Sequence, residues 1–202
     1  ENETLYIDVL EKYLELGDPF LLNLNMSDLI RIFGKEEAFE FIKKYSFQAQ
    51  ETWLFNLFIA IDESKITPED IQTLLKLYKS ANFKNMPYHL DYLIKYCNVD
   101  ENIFLEIMAV LISRVENEDI GFVYTFSIIF NPFTEIFKIL DKYMYLDLTL
   151  FKKAYLYCLN SENHFDHDMM AFDKLLNFDV DFVDEYIIHI LNSNDKSISS
   201  HD

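Results

Sequence analysis

The chain has 202 residues, a formal net charge of −18, 50% apolar and 16% aromatic residues, and only three glycines and four prolines. So much apolar surface supplies a large core and excludes disorder over most of the length, while the shortage of glycine and proline argues against a turn-rich sandwich or barrel and against a glycine-lined phosphate loop. The acid excess disfavours nucleic acid and anionic membrane, which need Lys and Arg to neutralise phosphates, and leaves a basic protein partner or plain solubility.

In chain order, residues 4–16 place Leu5, Val9, Tyr13 and Leu16 on one face of an amphipathic helix that Gly17 and Asp18-Pro19 stop. A linking stretch leads to Ser27, read as the cap of a short helix ending near Gly34. Residues 35–45 turn Ala38, Phe39, Ile42 and Tyr45 inward. Glu36, Glu37, Glu40, Lys43 and Lys44 face outward as a solvated surface. Residues 48–62, with Trp53, Leu54, Phe55, Leu57, Phe58, Ile59 and Ile61, are apolar on nearly every side and demand an interior position. Thr67-Pro68-Glu69-Asp70 reads as a capping box with proline at the first helical position, opening a helix that buries Leu74, Leu75, Leu77 and Tyr78.

A pattern then recurs. Val99-Asp100, Leu146-Asp147 and Phe178-Asp179 each place an apolar residue before an aspartate, and Phe104, Phe151 and Val183 follow four positions after it. That spacing predicts an N-cap with a hydrophobic staple. Ile66-Thr67 is a looser copy. The cap-to-cap spacings are 33, 47 and 32 residues, the first and last near the period of two-helix repeats. Lys95, Lys142 and Lys174 stand five positions before the three aspartates, where a cation complements a helix C-terminus. Further helices are expected over 87–97, 119–130, 133–144, 148–160, 166–176 and 180–192. The longest uncharged run, 120–134, is too short to span a bilayer core of about 30 Å and contains Asn131-Pro132, so it reads as a buried helix.

The charge is uneven: −8 over 1–64, −1 over 65–117 and −9 over 118–202. The near-neutral middle suits contact with neighbours. Cys97 and Cys158 fall inside apolar helical patterns and read as reduced core residues of a cytosolic protein. The N-terminus Glu1-Asn2-Glu3 is acidic, resembles no signal peptide and lacks an initiator methionine, which suits a processed chain or a piece of a longer one.

No stretch carries a catalytic signature. Asn163-His164-Phe165-Asp166-His167-Asp168 is the most site-like cluster, but it matches no zinc-hydrolase spacing and reads as an inter-helix loop in which Asp166 caps the next helix. His89 and His189 are isolated in helices with no nearby nucleophile. Asp179, Asp181, Asp184 and Glu185 lie across a helix N-terminus, where acids offset exposed N–H groups. Gly34-Lys35 lacks the rest of a phosphate loop. Phe122, Tyr124, Phe126, Phe130, Phe133 and Phe137, without interleaved bases, read as core rather than as a base-stacking surface. No catalytic, cofactor-binding or metal-binding residue is expected, and no partner-binding residue can be named.

The fold expected is all-α, an irregular α-solenoid of about 10–11 helices in antiparallel pairs, with an irregular helical bundle as the alternative. The domain reading is 1–34 as N-terminal helices, 35–192 as a helical-repeat array, and 193–202 as a disordered tail or linker. The caps at Asp100, Asp147 and Asp179 and the face Trp53-Leu54-Phe55-Asn56-Leu57-Phe58 resemble degenerate HEAT- or TPR-like arrays. More narrowly they resemble the helical sensor regions of large bacterial STAND-type P-loop NTPases. The resemblance implies a cytoplasmic, non-catalytic protein-recognition module, the sensor or scaffold of a larger bacterial protein acting in antiviral defence. It carries no Walker motif and no catalytic residue. The alternative is a free-standing acidic inhibitor, a toxin-immunity protein or DNA mimic, directed at a basic partner. A metal-dependent enzyme built on 163–168 is a third reading.

Overall fold

A computed structural model describes residues 2–15, 26–44, 50–80, 91–117, 123–159, 166 and 168–198. Among these, every regular element is helical and there is no strand. The chain divides into two compact units, Glu1–Asn85 and Met86–Asp202, a boundary inside the 35–192 stretch.

The first unit contains α1 (Asn2–Glu15), α2 (Met26–Phe33), α3 (Lys35–Lys43), α4 (Gln50–Ala60), a 3-10 turn (Glu63–Lys65) and α5 (Pro68–Lys79). The second helix is already formed at Met26, so Ser27 lies inside its first turn instead of capping it. Gly34 alone separates α2 from α3. Its N–H donates to Ile30 O at 2.8 Å and its carbonyl accepts from Ala38 N–H at 3.1 Å. Its φ of +85° favours glycine, and an added Cβ would meet Glu37 Oε2 at 3.0 Å. The apolar α4 is interior, as its composition demands. It packs against α2, α3 and α5, and Trp53, Leu54, Phe55, Leu57 and Phe58 are all buried. Burying a residue such as Leu57 or Phe58 contributes roughly 1.5–3 kcal/mol.

The second unit contains α6 (Leu93–Cys97), α7 (Ile103–Glu116), α8 (Val123–Ile129), α9 (Glu135–Leu146), α10 (Leu148–Leu159), α11 (Met170–Phe178) and α12 (Phe182–Ile198). Here α10 packs on α7, α8, α9, α11 and α12, and α9 packs on α6 and α11. Aromatic rings join these elements. Tyr143 meets Phe104 edge-on at 4.8 Å, and Tyr155 meets Phe130 at 5.3 Å and Phe182 at 6.0 Å. The last helix runs through Ile198, past the point where a tail is expected, because Asn192 to Ile198 contains neither glycine nor proline to stop it.

The repeated aspartates behave differently from one another. Asp147 ends α9 and caps α10, accepting from Leu150 N–H at 3.1 Å. Asp100 and Asp179 instead accept from the N–H two residues on, at 2.9 and 3.0 Å, and their helices begin three residues later at Ile103 and Phe182. The staples do not close as expected. Val99, Leu146 and Phe178 remain 43%, 52% and 38% exposed. In two copies the intervening turn carries the first helical residue, Ile103 or Phe182, into the core in place of the residue before the cap. Thr134, unremarked in the sequence, caps α9 by accepting from Phe137 N–H at 3.3 Å.

Candidate functional site

In the first unit the charged outer face of α3 is more than a solvated surface. Lys35, Glu36, Glu40 and Lys43 form one wall of a cleft of about 440 Å³, Thr67, Glu69, Asp70 and Thr73 of α5 and its cap form the other, and Phe39 and Phe58 line it between them. Asp70 is held there by the capping box: its Oδ2 accepts from Thr67 N–H at 2.7 Å and from Thr67 Oγ1 at 2.8 Å. The same oxygen accepts from Lys35 Nζ at 3.0 Å, and Lys35 also donates to Lys65 O at 3.2 Å. Burial pulls the Lys35 pKa down, but its bond to Asp70 and the charges of Asp70 and Glu36 outweigh that and leave it raised. The lysine after Gly34 is therefore fully engaged in structure. Sequence spacing could not reveal a bond across 35 residues.

The 163–168 cluster resolves around one residue. Asp166 accepts from Ala171 N–H at 3.1 Å, from Phe172 N–H at 3.0 Å and from Tyr155 O–H at 2.9 Å. It satisfies the first turn of α11, as read from the sequence, and its oxygens are occupied. Asn163, His164, Phe165 and His167 lie outside the described residues. Among the described residues no group of three or more His, Cys, Asp or Glu side chains could hold a metal ion.

The other singled-out residues separate in the same way. His89 lies outside the described residues, and His189 is half-buried on α12. Phe126, Phe130 and Phe137 are core, but Phe133 is 89% exposed: Asn131 Oδ1 accepts from Phe133 N–H at 3.0 Å, and the turn points the ring outward. Phe122 lies outside the described residues. Cys97 and Cys158 are buried free thiols. Lysines that precede the aspartates reach neighbouring elements. Lys142 pairs with Glu101 at 2.5 Å and Lys174 with Asp141 at 2.7 Å.

The acidic quartet sits at the start of α12. Lys152 of α10 bonds both Asp179, at 2.8 Å, and Glu185. Its ammonium pKa is lowered by burial yet raised on balance by those two bonds, and the same bond holds Asp179 below the usual carboxylate range. Asp181 and Asp184 are exposed and have no ion-pair partner among the described residues. Beyond them α12 has two apolar faces. Phe182 is buried and Tyr186 and Ile190 are half-buried, on the inner side. Val180, Val183, Ile187, Ile188 and Leu191 stand 72%, 37%, 48%, 58% and 60% exposed. Their spacing makes one stripe along the outer side. Sequence periodicity marked α12 as apolar but could not show which side the neighbouring helices leave uncovered.

No protein-family model matches the chain, and neither a curated protein nor a solved structure matches it. Among the described residues, no helix is long and apolar enough to cross a membrane.

Proposed function

We propose that the chain is a non-catalytic protein-recognition module of helical-repeat type, serving as sensor or scaffold in a larger bacterial protein, with antiviral defence as its setting. The observation that carries the recognition reading is the outer stripe of α12, where four apolar side chains, with Val180 just before the helix, are left in solvent while the other side of the helix is already packed. Contiguous exposed apolar surface of this kind marks contact with another macromolecule. The succession of α9–α10 and α11–α12, in which α9 packs on α11 and α10 on α12, supports a two-layer array. The burial of both thiols in the core favours a structural role for the cysteines.

The test is a photo-crosslinking residue placed at Ile188 of the protein in cells. The expected result is a discrete covalent adduct with another polypeptide that is absent when the residue is placed at Glu106, which is exposed on α7. Equal labelling at both positions would overturn the reading. A free-standing acidic inhibitor is the second reading, favoured by the charge of −18. It requires one tightly bound basic partner whose association rate falls steeply with salt.

A further inference from the structure

We infer that the outer face of α12 receives an amphipathic helix from a partner protein, with an apolar stripe flanked by Lys or Arg. The inference rests on the recognition reading above and names the chemistry of its partner. Val183, Ile187 and Leu191 recur at a spacing of four, with Ile188 beside them, so the uncovered stripe runs along the helix for more than two turns. A facing helix is the element whose own i, i+3, i+4 and i+7 side chains match such a stripe.

The charges select among helices. Asp181 and Asp184 are exposed at the N-terminal end of the stripe with no ion-pair partner among the described residues, while the nearby Lys152 ammonium is already shared by Asp179 and Glu185. The surrounding sequence, 118–202, carries −9 and the whole chain −18. A second copy would bring like charge against like charge, and an anionic lipid surface would meet the same repulsion. A lysine- or arginine-flanked helix would pair with Asp181 and Asp184 as it covers the isoleucines.

The full chain is titrated into two labelled synthetic helical peptides that share one leucine stripe, flanked by lysine in one and by glutamate in the other, and binding is read by fluorescence anisotropy. The lysine peptide is expected to bind at least about tenfold more tightly. Ile187→Asp with Ile188→Asp should lose that binding about tenfold or more, and Asp184→Lys should shift preference toward the glutamate peptide. Because these side chains are exposed, each variant should keep the parent circular dichroism spectrum and urea midpoint. Equal affinity for both peptides, or binding of neither, overturns the inference. So does a dimer in sedimentation that Ile188→Asp dissolves, which would give the face to a second copy. A protein adduct at Ile188 in cells together with failure of both peptides would reject the basic helix while leaving the recognition reading in place.

Discussion

Lys35 Nζ lies 3.0 Å from Asp70 Oδ2, and each side chain keeps only 10% of its surface in solvent. The pair joins α3 to the start of α5, but its members are not equivalent, because Asp70 also closes the capping box with Thr67. Asp70→Ala removes the box and takes from a largely buried ammonium its nearest carboxylate, leaving it Lys65 O and the more exposed Glu36, an expected loss of about 3 kcal/mol. Lys35→Met keeps an apolar stem in place and leaves Asp70 its two bonds to Thr67, so about 1–2 kcal/mol is expected. Urea denaturation midpoints check the order, and a larger loss for Lys35→Met would refute it.

Aspartates at helix starts should rank by the number of bonds that each accepts. Asp147 accepts one backbone N–H from α10, so Asp147→Ala should cost ~0.5–2 kcal/mol without loss of helicity. Asp166 accepts two from α11 and the Tyr155 hydroxyl besides, so Asp166→Ala should cost about 2–3 kcal/mol. Thermal melts of the two variants decide the ranking. Equal melting temperatures would show that the second backbone bond and the Tyr155 bond together contribute nothing.

Acid should act through Asp179. Its bond to Lys152 holds the folded-state pKa below the ordinary value of 3.8. A depressed carboxylate adds stability that is present above the unfolded pKa and lost as pH falls through the folded one. The urea midpoints of the parent and of Asp179→Asn should therefore differ by a constant amount above about pH 5 and converge below pH 4. A gap that does not narrow as the carboxylate is protonated would show that something other than its charge carries the difference.

Both cysteines should be silent toward a thiol reagent. Burial raises the Cys97 and Cys158 thiol pKa values, leaving little thiolate at neutral pH and little access to it. An aromatic disulfide reagent at pH 7.5 is expected to label neither in the native protein and both in urea. Rapid labelling of native protein would mean that the α6 or α10 packing opens readily.

The local features of the fold were legible in the sequence. Thr67-Pro68-Glu69-Asp70 announced its capping box, Trp53 to Phe58 announced an interior helix, and Asp147 and Asp166 announced caps, because each rests on residues within one or two turns of one another. The staples expected at Val99 and Phe178 failed because a two-residue turn and a direct corner share one sequence pattern and differ only in backbone torsions, while Leu146 stays 52% exposed even at the direct corner. The wall of the first-unit cleft and the outer stripe of α12 were not legible. Which side of Lys35 meets Asp70, or which side of Ile188 meets nothing, is decided by elements distant in sequence.

At Asp147 one residue is at once the end of α9 and the cap of α10, so a single φ of −150° and ψ of 79° set the corner. There is no slack in which an extra residue could be absorbed. One insertion would turn α10 by about 100° about its axis and swing Phe151, Ala154, Tyr155 and Cys158 out of the core. Along this part of the chain, descent can exchange residues freely at the surface but cannot change their number.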